Sequence, residues 1–283
     1  MRLGLTMIML SSLLIAADRP AAADDYVDRM AREHQNDAPD ASPATEAPLA
    51  GDVVTADVEY ATVGGHQVTG YLARPKNQAQ GAPGVIVIHE WWGLNDNIRA
   101  MARQLAGEGY AALAVDLYGG AVAETPEKAR ALMQAAMADT ADGDSNLRQA
   151  YSYLTEKLKA PRVASLGWCF GGGWSLETAL LFPKQLDAAV IYYGHLVTDR
   201  ERLATLEVPI LGLFGGEDRG IPVADVRAFE ATLKDLGKPV TIVVYPDAGH
   251  AFANPSGHGY RPADAEDAWR RTLEFLSAHL TTR

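Results

Sequence analysis

Short apolar runs alternate with amphipathic stretches along most of the chain. From Val85 onward these runs are continuously apolar, which is typical of strands buried on both faces of a parallel sheet. Strands are predicted at VIVIH (85–89), AALAVD (111–116), VASLGW (163–168), DAAVIYY (187–193), PILGLFG (209–215) and VTIVVY (240–245), and helices near 96–108, 126–138, 143–158, 222–236 and 263–280 and from Phe170. Repeated strand–helix units predict the α/β class, with a doubly wound, mostly parallel sheet.

The pattern differs before Val85. Residues 53–60 and 67–73 alternate polar and apolar side chains around Gly64-Gly65, which predicts an antiparallel hairpin at the edge of the sheet. Residues 24–51 have little apolar periodicity and contain three prolines, so we interpret them as an irregular arm with one short helix around Tyr26–His34. Residues 52–283 are expected to form one domain.

The first 23 residues have the features of a secretion signal. A positive start is followed by the apolar run of residues 3–17 and by Ala21-Ala22-Ala23, a small-residue cleavage site. The run is shorter than the roughly 20 residues that a membrane span needs. We therefore expect cleavage near Ala23 and a bacterial protein that is periplasmic or secreted, without membrane contact afterwards.

Composition narrows the possible partners. The formal net charge is −11, from 25 Lys and Arg against 36 Asp and Glu, which argues against nucleic acid as a partner. The electrostatic field of a protein with this negative net charge also disfavours strongly anionic substrates. One Cys cannot form an intrachain disulfide or a zinc site of the CxxC…CxxC kind. We expect a monomer that acts on a small molecule and needs no cofactor or metal.

The single cysteine lies in a turn that is typical of catalytic nucleophiles. Gly167-Trp168-Cys169-Phe170-Gly171 falls between a predicted strand and a predicted helix. Glycines at these positions allow a tight strand-to-helix turn that exposes the nucleophile, and the helix N-terminus favours a thiolate. The alternative is a buried structural Cys. A phosphate-binding turn is disfavoured, because no Walker lysine or GxGxxG spacing accompanies it.

An acid and a base follow in the chain. Asp218 comes just after the predicted strand 209–215, and His250 follows the strand 240–245, so both are expected at the carboxyl edge of the sheet. The order nucleophile, acid, base is that of α/β hydrolases. In this role His250 takes the thiol proton, and Asp218 orients its ring. The competing residues are Glu217 and Asp225 for the acid, and His195 and His258 for the base.

Five segments in order resemble the dienelactone hydrolase family: HEWWGLN, AVDLYGG, GWCFGG, GGEDRGIP and YPDAGHAF. The resemblance covers about residues 53–280 and implies an α/β-hydrolase fold that cleaves esters or lactones with Cys169 as nucleophile. It also implies a role for Glu90, whose carboxyl would bond the resting thiol and leave when substrate arrives. A non-catalytic binding protein or a thiol redox sensor on the same fold is the alternative.

Glu90 also stands out without the resemblance. It follows a buried strand and precedes Trp91 and Trp92, so poor solvation should raise the pKa of its carboxyl and favour a bond to the thiol. The alternative is an ion pair with an arginine. The backbone N–H groups of Phe170 and Trp91 are the predicted oxyanion donors.

The expected substrate pocket departs from the family. We assign Trp92 and Phe252 to its apolar wall. At the position four residues beyond the predicted catalytic histidine, where the family has an arginine that clamps a substrate carboxylate, this chain has Asn254, and only Arg130 is a candidate for the other clamp. The sequence therefore favours uncharged esters or lactones.

Overall fold

The computed structural model describes residues 19–281. Its strands are β1 (Val53–Val63), β2 (His66–Pro75), β3 (Gly84–Ile88), β4 (Ala111–Val115), β5 (Val163–Trp168), β6 (Ala188–Tyr192), β7 (Ile210–Gly215) and β8 (Val240–Tyr245). Its α-helices are α1 (Arg19–Glu33), α2 (Asp96–Gly107), α3 (Pro126–Ala138), α4 (Thr140–Ser152), α5 (Phe170–Leu181), α6 (Arg200–Ala204), α7 (Val223–Asp235) and α8 (Pro262–Leu280). A 3-10 helix at Pro43–Glu46 and a π-helical turn at Tyr153–Lys157 complete the regular structure of this range.

All eight strands form one sheet in the order β1-β2-β4-β3-β5-β6-β7-β8. Strands β3 to β8 are parallel, whereas β1 pairs with β2, and β2 with β4, in antiparallel fashion. The central strands β3, β4, β5 and β6 are buried along their whole length, as their continuous apolar runs predicted. The predicted doubly wound sheet with an N-terminal antiparallel hairpin is confirmed.

Helix boundaries are set by local signals. Asn95 caps α2 by accepting the N–H of Ile98, and Thr125 caps α3 by accepting that of Lys128. The helix predicted over 143–158 begins earlier, at Thr140, and its last turn widens into the π-helical turn. None of the described helices is long and apolar enough to cross a membrane.

The region before the hairpin is more ordered than expected. Helix α1 is longer than the short helix predicted around Tyr26–His34, and it packs against α3. Tyr26, Val27 and Met30 form its buried face. Most of the predicted signal, residues 1–18, lies outside the described residues, and its last five positions fall at the start of α1.

After α1 the chain crosses to α2. Asn97 Oδ1 accepts the backbone N–H and the hydroxyl of Ser42, each at 3.1 Å, and Arg103 donates to the carbonyl of Thr45 at 3.0 Å. On the outer side of α1, Arg130 of α3 donates to Asp28 at 2.5 Å. Residues 25–46 are therefore held against the domain at both ends. We call this segment the N-terminal cover, because of what lies beneath it.

Candidate active site

Cys169 occupies the one-residue turn between β5 and α5. Its backbone has φ 54° and ψ −117°, a strained conformation for a residue with a side chain. A Cβ at Gly167 would collide with the carbonyl of Gly171, and a Cβ at Gly171 with the carbonyl of Ile88. The glycines on both sides of the thiol are therefore required by close backbone packing, as a nucleophile turn needs.

His250 and Asp218 meet beside this turn. Asp218 follows β7 and His250 follows β8, and His250 Nδ1 lies 2.8 Å from Asp218 Oδ2, so the ring N–H donates to the carboxylate. Asp218 Oδ1 accepts the backbone N–H groups of Gly220 and Ile221, each at 2.8 Å. This pairing leaves His250 Nε2 free, and among the described residues that buried atom has no hydrogen-bond partner.

The thiol itself is covered by α1. Cys169 is completely buried, with its Sγ 3.7 Å from Met30 Sδ and 3.6 Å from His34 Nε2. The other ring nitrogen of His34 donates to Asp37 Oδ2 at 2.8 Å. Asp37 Oδ1 in turn accepts the backbone N–H of His258 at 2.9 Å. A second histidine–aspartate pair thus reaches the thiol from the N-terminal cover.

The two histidines control the charge of the thiol. Burial raises the pKa of Cys169, but the nearby His250 and His34 cations lower it more, to about 6. Burial lowers the pKa of His34, but its bonds to Asp37 and Cys169 raise it to about 9. The pKa of His250 lies well above its usual value because Asp218 and Cys169 outweigh burial. The two histidines therefore favour the thiolate form of Cys169.

Glu90 is buried and bonds to other side chains. Its Oε1 accepts the Tyr193 hydroxyl at 3.4 Å, and its Oε2 accepts the Asn254 amide at 2.7 Å. Burial and the Cys169 thiolate raise the pKa of this carboxyl to about 7. The raised pKa agrees with the expectation. The hydrogen bonds do not agree with it, because Glu90 bonds to Tyr193 and Asn254, while the thiol contacts the N-terminal cover.

Asn254 and Glu90 line a cavity of about 60 Å³ together with Tyr192, Tyr193 and Trp168. This volume accommodates a few waters at most. Trp92, Phe252 and Arg130, which the sequence placed in the pocket, do not line this cavity. Arg130 is held outside by Asp28, and Phe252 packs against Tyr193 and Tyr245 in the core.

Of the two predicted oxyanion donors, Phe170 directly follows Cys169 in the chain, whereas Trp91 belongs to the loop after β3. Phe170 is the first residue of α5, where backbone N–H groups have no acceptor within the helix. Trp91 follows Glu90, and its ring stacks on His34 at 4.6 Å and contacts Trp92 at 4.9 Å. Trp91 therefore supports the cover at His34, and Trp92 packs against Trp91.

The competing candidates have other partners. The His195 ring packs on Tyr26 of α1 at 4.6 Å. His258 is exposed and bonds to Asp37 at 2.8 Å. Both histidines thus contact the N-terminal cover, while His250 alone of the three is paired with Asp218.

Met30, His34 and Asp37 were missed by the sequence reasoning. Residues 26, 27, 30 and 34 recur at helical spacing and would lie on one face of a helix, so the signal was present but short. The feature that could have indicated a site is a titratable residue, His34, on an otherwise apolar face, with Asp37 three residues later. The ligand atoms of His34, Cys169 and His250 lie within 4.8 Å of one another, so these side chains could hold a metal ion.

The sheet, the strained cysteine turn and the histidine and aspartate loops at its carboxyl edge define a protein of the α/β-hydrolase class. The family model "DLH: Dienelactone hydrolase family" matches residues 68–280. The chain belongs to the dienelactone hydrolase family.

Individual relatives agree with this membership. The chain is similar to a protein of Escherichia coli strain K12 provisionally named carboxymethylenebutenolidase, with 34% identity over 261 residues, 86% of this chain and 94% of that protein. Among solved structures it resembles a provisionally named dienelactone hydrolase from Klebsiella pneumoniae, with a TM-score of 0.72, 30% identity, and 80% and 99% of the two chains covered. It also resembles a dienelactone hydrolase-like promiscuous phosphotriesterase from metagenomic libraries, with a TM-score of 0.74, 25% identity, and 82% and 100% coverage.

Proposed function

We propose that the protein is an exported hydrolase that cleaves carboxylic esters or lactones through a covalent intermediate on Cys169. Family membership supports hydrolysis. The observation that carries the residue assignment is the strained thiol beside a buried His250–Asp218 pair whose free Nε2 has no other partner. A redox sensor needs a low pKa of its thiol but no such ordered acid and base.

In the proposed reaction the Cys169 thiolate attacks the substrate carbonyl carbon, and an S–C bond forms. The C–O bond to the leaving alcohol breaks, and His250 Nε2 gives its proton to that oxygen. Water then attacks the thioester carbonyl, passes a proton to His250, and the S–C bond breaks to release the acid. Asp218 accepts the Nδ1–H of His250 throughout and fixes the ring orientation.

The developing oxyanion would be stabilised by the N–H groups of Phe170 and Trp91. Glu90 remains a candidate for a role in thiol protection. Substrate can approach Sγ only when Met30 and His34 withdraw, because both lie in contact with it. The active form is therefore one in which the N-terminal cover has opened.

The proposed substrates are uncharged. Asn254 is engaged by Glu90, Arg130 is engaged by Asp28 outside the site, and the net charge of the protein is negative. A substrate carboxylate would thus find no cationic clamp on these residues, and loss of such a contact costs about 1.5–3 kcal/mol.

A burst assay tests the proposal. With p-nitrophenyl acetate, the wild type should release one equivalent of nitrophenolate rapidly before slower turnover, and Cys169→Ala should lose both phases. Cys169→Ser is expected to be poor as well, because a hydroxyl needs a stronger base. His66→Gln, at an exposed hairpin position, serves as the control and should behave as wild type.

Full turnover by Cys169→Ala would overturn the nucleophile assignment. The same assay with matched substrates tests the charge preference: the uncharged ester should have a kcat/KM about tenfold or more above its carboxylate-bearing counterpart. A tenfold preference for the anionic substrate would contradict that part of the proposal.

A further inference from the structure

The thiol lies between two histidines of the same arrangement. His34 Nδ1 donates to the Asp37 carboxylate, and His250 Nδ1 donates to the Asp218 carboxylate, each at 2.8 Å. A neutral imidazole held in this way has its lone pair on Nε2. The ligand atoms His34 Nε2, Cys169 Sγ and His250 Nε2 lie within 4.8 Å of one another and are buried.

These features are those of a transition-metal site. Metal-binding histidines usually donate their other ring N–H to a carboxylate, which fixes the tautomer and makes the ligand more basic. Thiolate and imidazole ligands select zinc-class ions over magnesium or calcium. His250 Nε2 is buried near the thiol and makes no hydrogen bond of normal length and angle among the described residues, so a polar atom in the site is poorly satisfied.

The distance between Cys169 and His34 agrees with tetrahedral zinc. With Zn–S of about 2.3 Å and Zn–N of about 2.0–2.1 Å, the sulfur and nitrogen ligands of one ion are about 3.6 Å apart. Cys169 Sγ and His34 Nε2 are separated by 3.6 Å. The Met30 thioether also lies near the site, with its Sδ 3.7 Å from Cys169 Sγ.

The local charge also suits a divalent cation. One thiolate ligand leaves a zinc ion with a net positive charge. The carboxylates of Asp37 and Asp218 do not reach the ion; each accepts a hydrogen bond from the Nδ1–H of its histidine. Their charges balance the ion without occupying its coordination positions, as in carboxylate–histidine–zinc arrangements.

We propose that His34, Cys169 and His250 form a binding site for Zn²⁺ that ties the N-terminal cover to the thiol. Because the ion takes up the electron pairs of Cys169 and His250 and holds His34 in place, its binding inhibits hydrolysis. The metal site stands without the proposed function, whereas the inhibition rests on it.

Cobalt titration of the tag-free, EDTA-treated full chain tests the site, because Co²⁺ replaces zinc and reports a thiolate ligand by a charge-transfer band in the near ultraviolet. We expect one equivalent of Co²⁺ to bind and Zn²⁺ to displace it. Cys169→Ala should lose the band, and His34→Gln should weaken binding at least about 10- to 100-fold. His66→Gln, which removes an exposed histidine on the hairpin, should bind as wild type.

A charge-transfer band that fails to appear in wild type with tenfold excess Co²⁺ would overturn the site, as would wild-type affinity in His34→Gln. Circular dichroism shows whether that variant is folded. Asp37→Asn, which keeps all three ligands and should still lower the affinity about 10- to 100-fold, gives an independent measurement.

Inhibition is measured separately. Stoichiometric Zn²⁺ should abolish ester turnover by wild type, and EDTA should restore it. At the same Zn²⁺ concentration His34→Gln should retain its own metal-free rate. Metal binding in a protein without esterase activity would leave the site standing and refute the proposed function; turnover unaffected by bound Zn²⁺ would refute the inhibition.

Discussion

Two histidine–aspartate pairs face one sulfur, but they are anchored in different ways. The His250–Asp218 pair lies on loops that follow β8 and β7, each within five residues of a strand, and two backbone N–H groups fix Asp218. The His34–Asp37 pair lies at the end of α1, which belongs to no part of the sheet. It is held by His258 and by stacking on Trp91.

The two histidine–aspartate pairs are alike in the groups they present to the thiol and differ in how firmly each is attached to the domain. Both pairs present an Nε2 atom to the thiol, so local geometry alone assigns them the same role. Loops that are fixed to core strands by buried hydrogen bonds open at a large free-energy cost, whereas a peripheral helix can detach locally at a smaller one. We therefore expect one pair to remain during turnover and the other to leave.

The largest effect should distinguish the two histidines directly. In EDTA, His250→Gln should lower kcat/KM for p-nitrophenyl acetate by roughly 10³ or more, because the thiol loses its base and the leaving group its acid. His34→Gln should lower it by less than about tenfold, since the cover withdraws before substrate binds. Steady-state kinetics of both variants beside His66→Gln provide the measurement. Equal losses would mean that both pairs act in the reaction.

A second prediction concerns how firmly the cover is held. Met30 is fully buried against the thiol, and truncation of a buried methionine to alanine costs about 2–5 kcal/mol. If about 2 kcal/mol of that cost falls on docking of the cover, Met30→Ala should raise the rate of Cys169 alkylation by iodoacetamide roughly 30-fold.

Arg32→Ala is the matched control, because Arg32 is exposed on the same helix. Its alkylation rate should equal that of wild type. A Met30→Ala rate that also equals wild type would mean that the thiol is reached by a route that the cover does not close.

The smallest predicted effect concerns the pH dependence of stability. It compares two carboxyls near the thiol, Glu90 of the domain and Asp37 of the N-terminal cover. Burial and the thiolate raise the pKa of Glu90 to about 7, while the bonds from His34 and His258 outweigh burial and hold the pKa of Asp37 well below its usual value. The unfolded chain releases the Glu90 proton near pH 4.5, before the folded protein does, so ionisation of Glu90 destabilises the fold as pH rises toward 7.

Glu90→Gln removes this titration. The free energy of unfolding of wild type relative to Glu90→Gln should therefore fall by about 2 kcal/mol between pH 5 and pH 8, measured by urea denaturation at both values. Asp37→Asn is the comparison. It removes the bond that helps raise the pKa of His34 to about 9, and the stability from that shift is present below the unfolded value near 6.5 and lost as pH rises toward 9, so this difference also falls over the range, through His34 rather than through a carboxyl. A flat difference for Glu90→Gln would mean that its carboxyl is already ionised at pH 5.

The core of the fold could be predicted because its signals are local. Continuous apolar runs marked the six parallel strands, and Gly64-Gly65 marked the hairpin. Because the carboxyl ends of parallel strands meet at one edge, the approach of Cys169, Asp218 and His250 also followed from the strand assignment.

The cover could not be predicted in the same way. His34 meets Cys169 across 135 positions and Asp37 meets His258 across 221, and the pattern within residues 25–46 contains no trace of those partners. The bonds of Glu90 were missed for a related reason, because the direction of a side chain at a strand end depends on loops such as that of Asn254, 164 positions away.

The cover also has a consequence for how the protein is made. Its residues precede in the chain the surfaces that receive it, which come from α3, from the turn at Cys169 and from the loop at His258. Contacts this distant in sequence form late. The newly folded domain therefore passes through a stage in which its sulfur is open to oxidants and thiol reagents, and the N-terminal cover closes over it last.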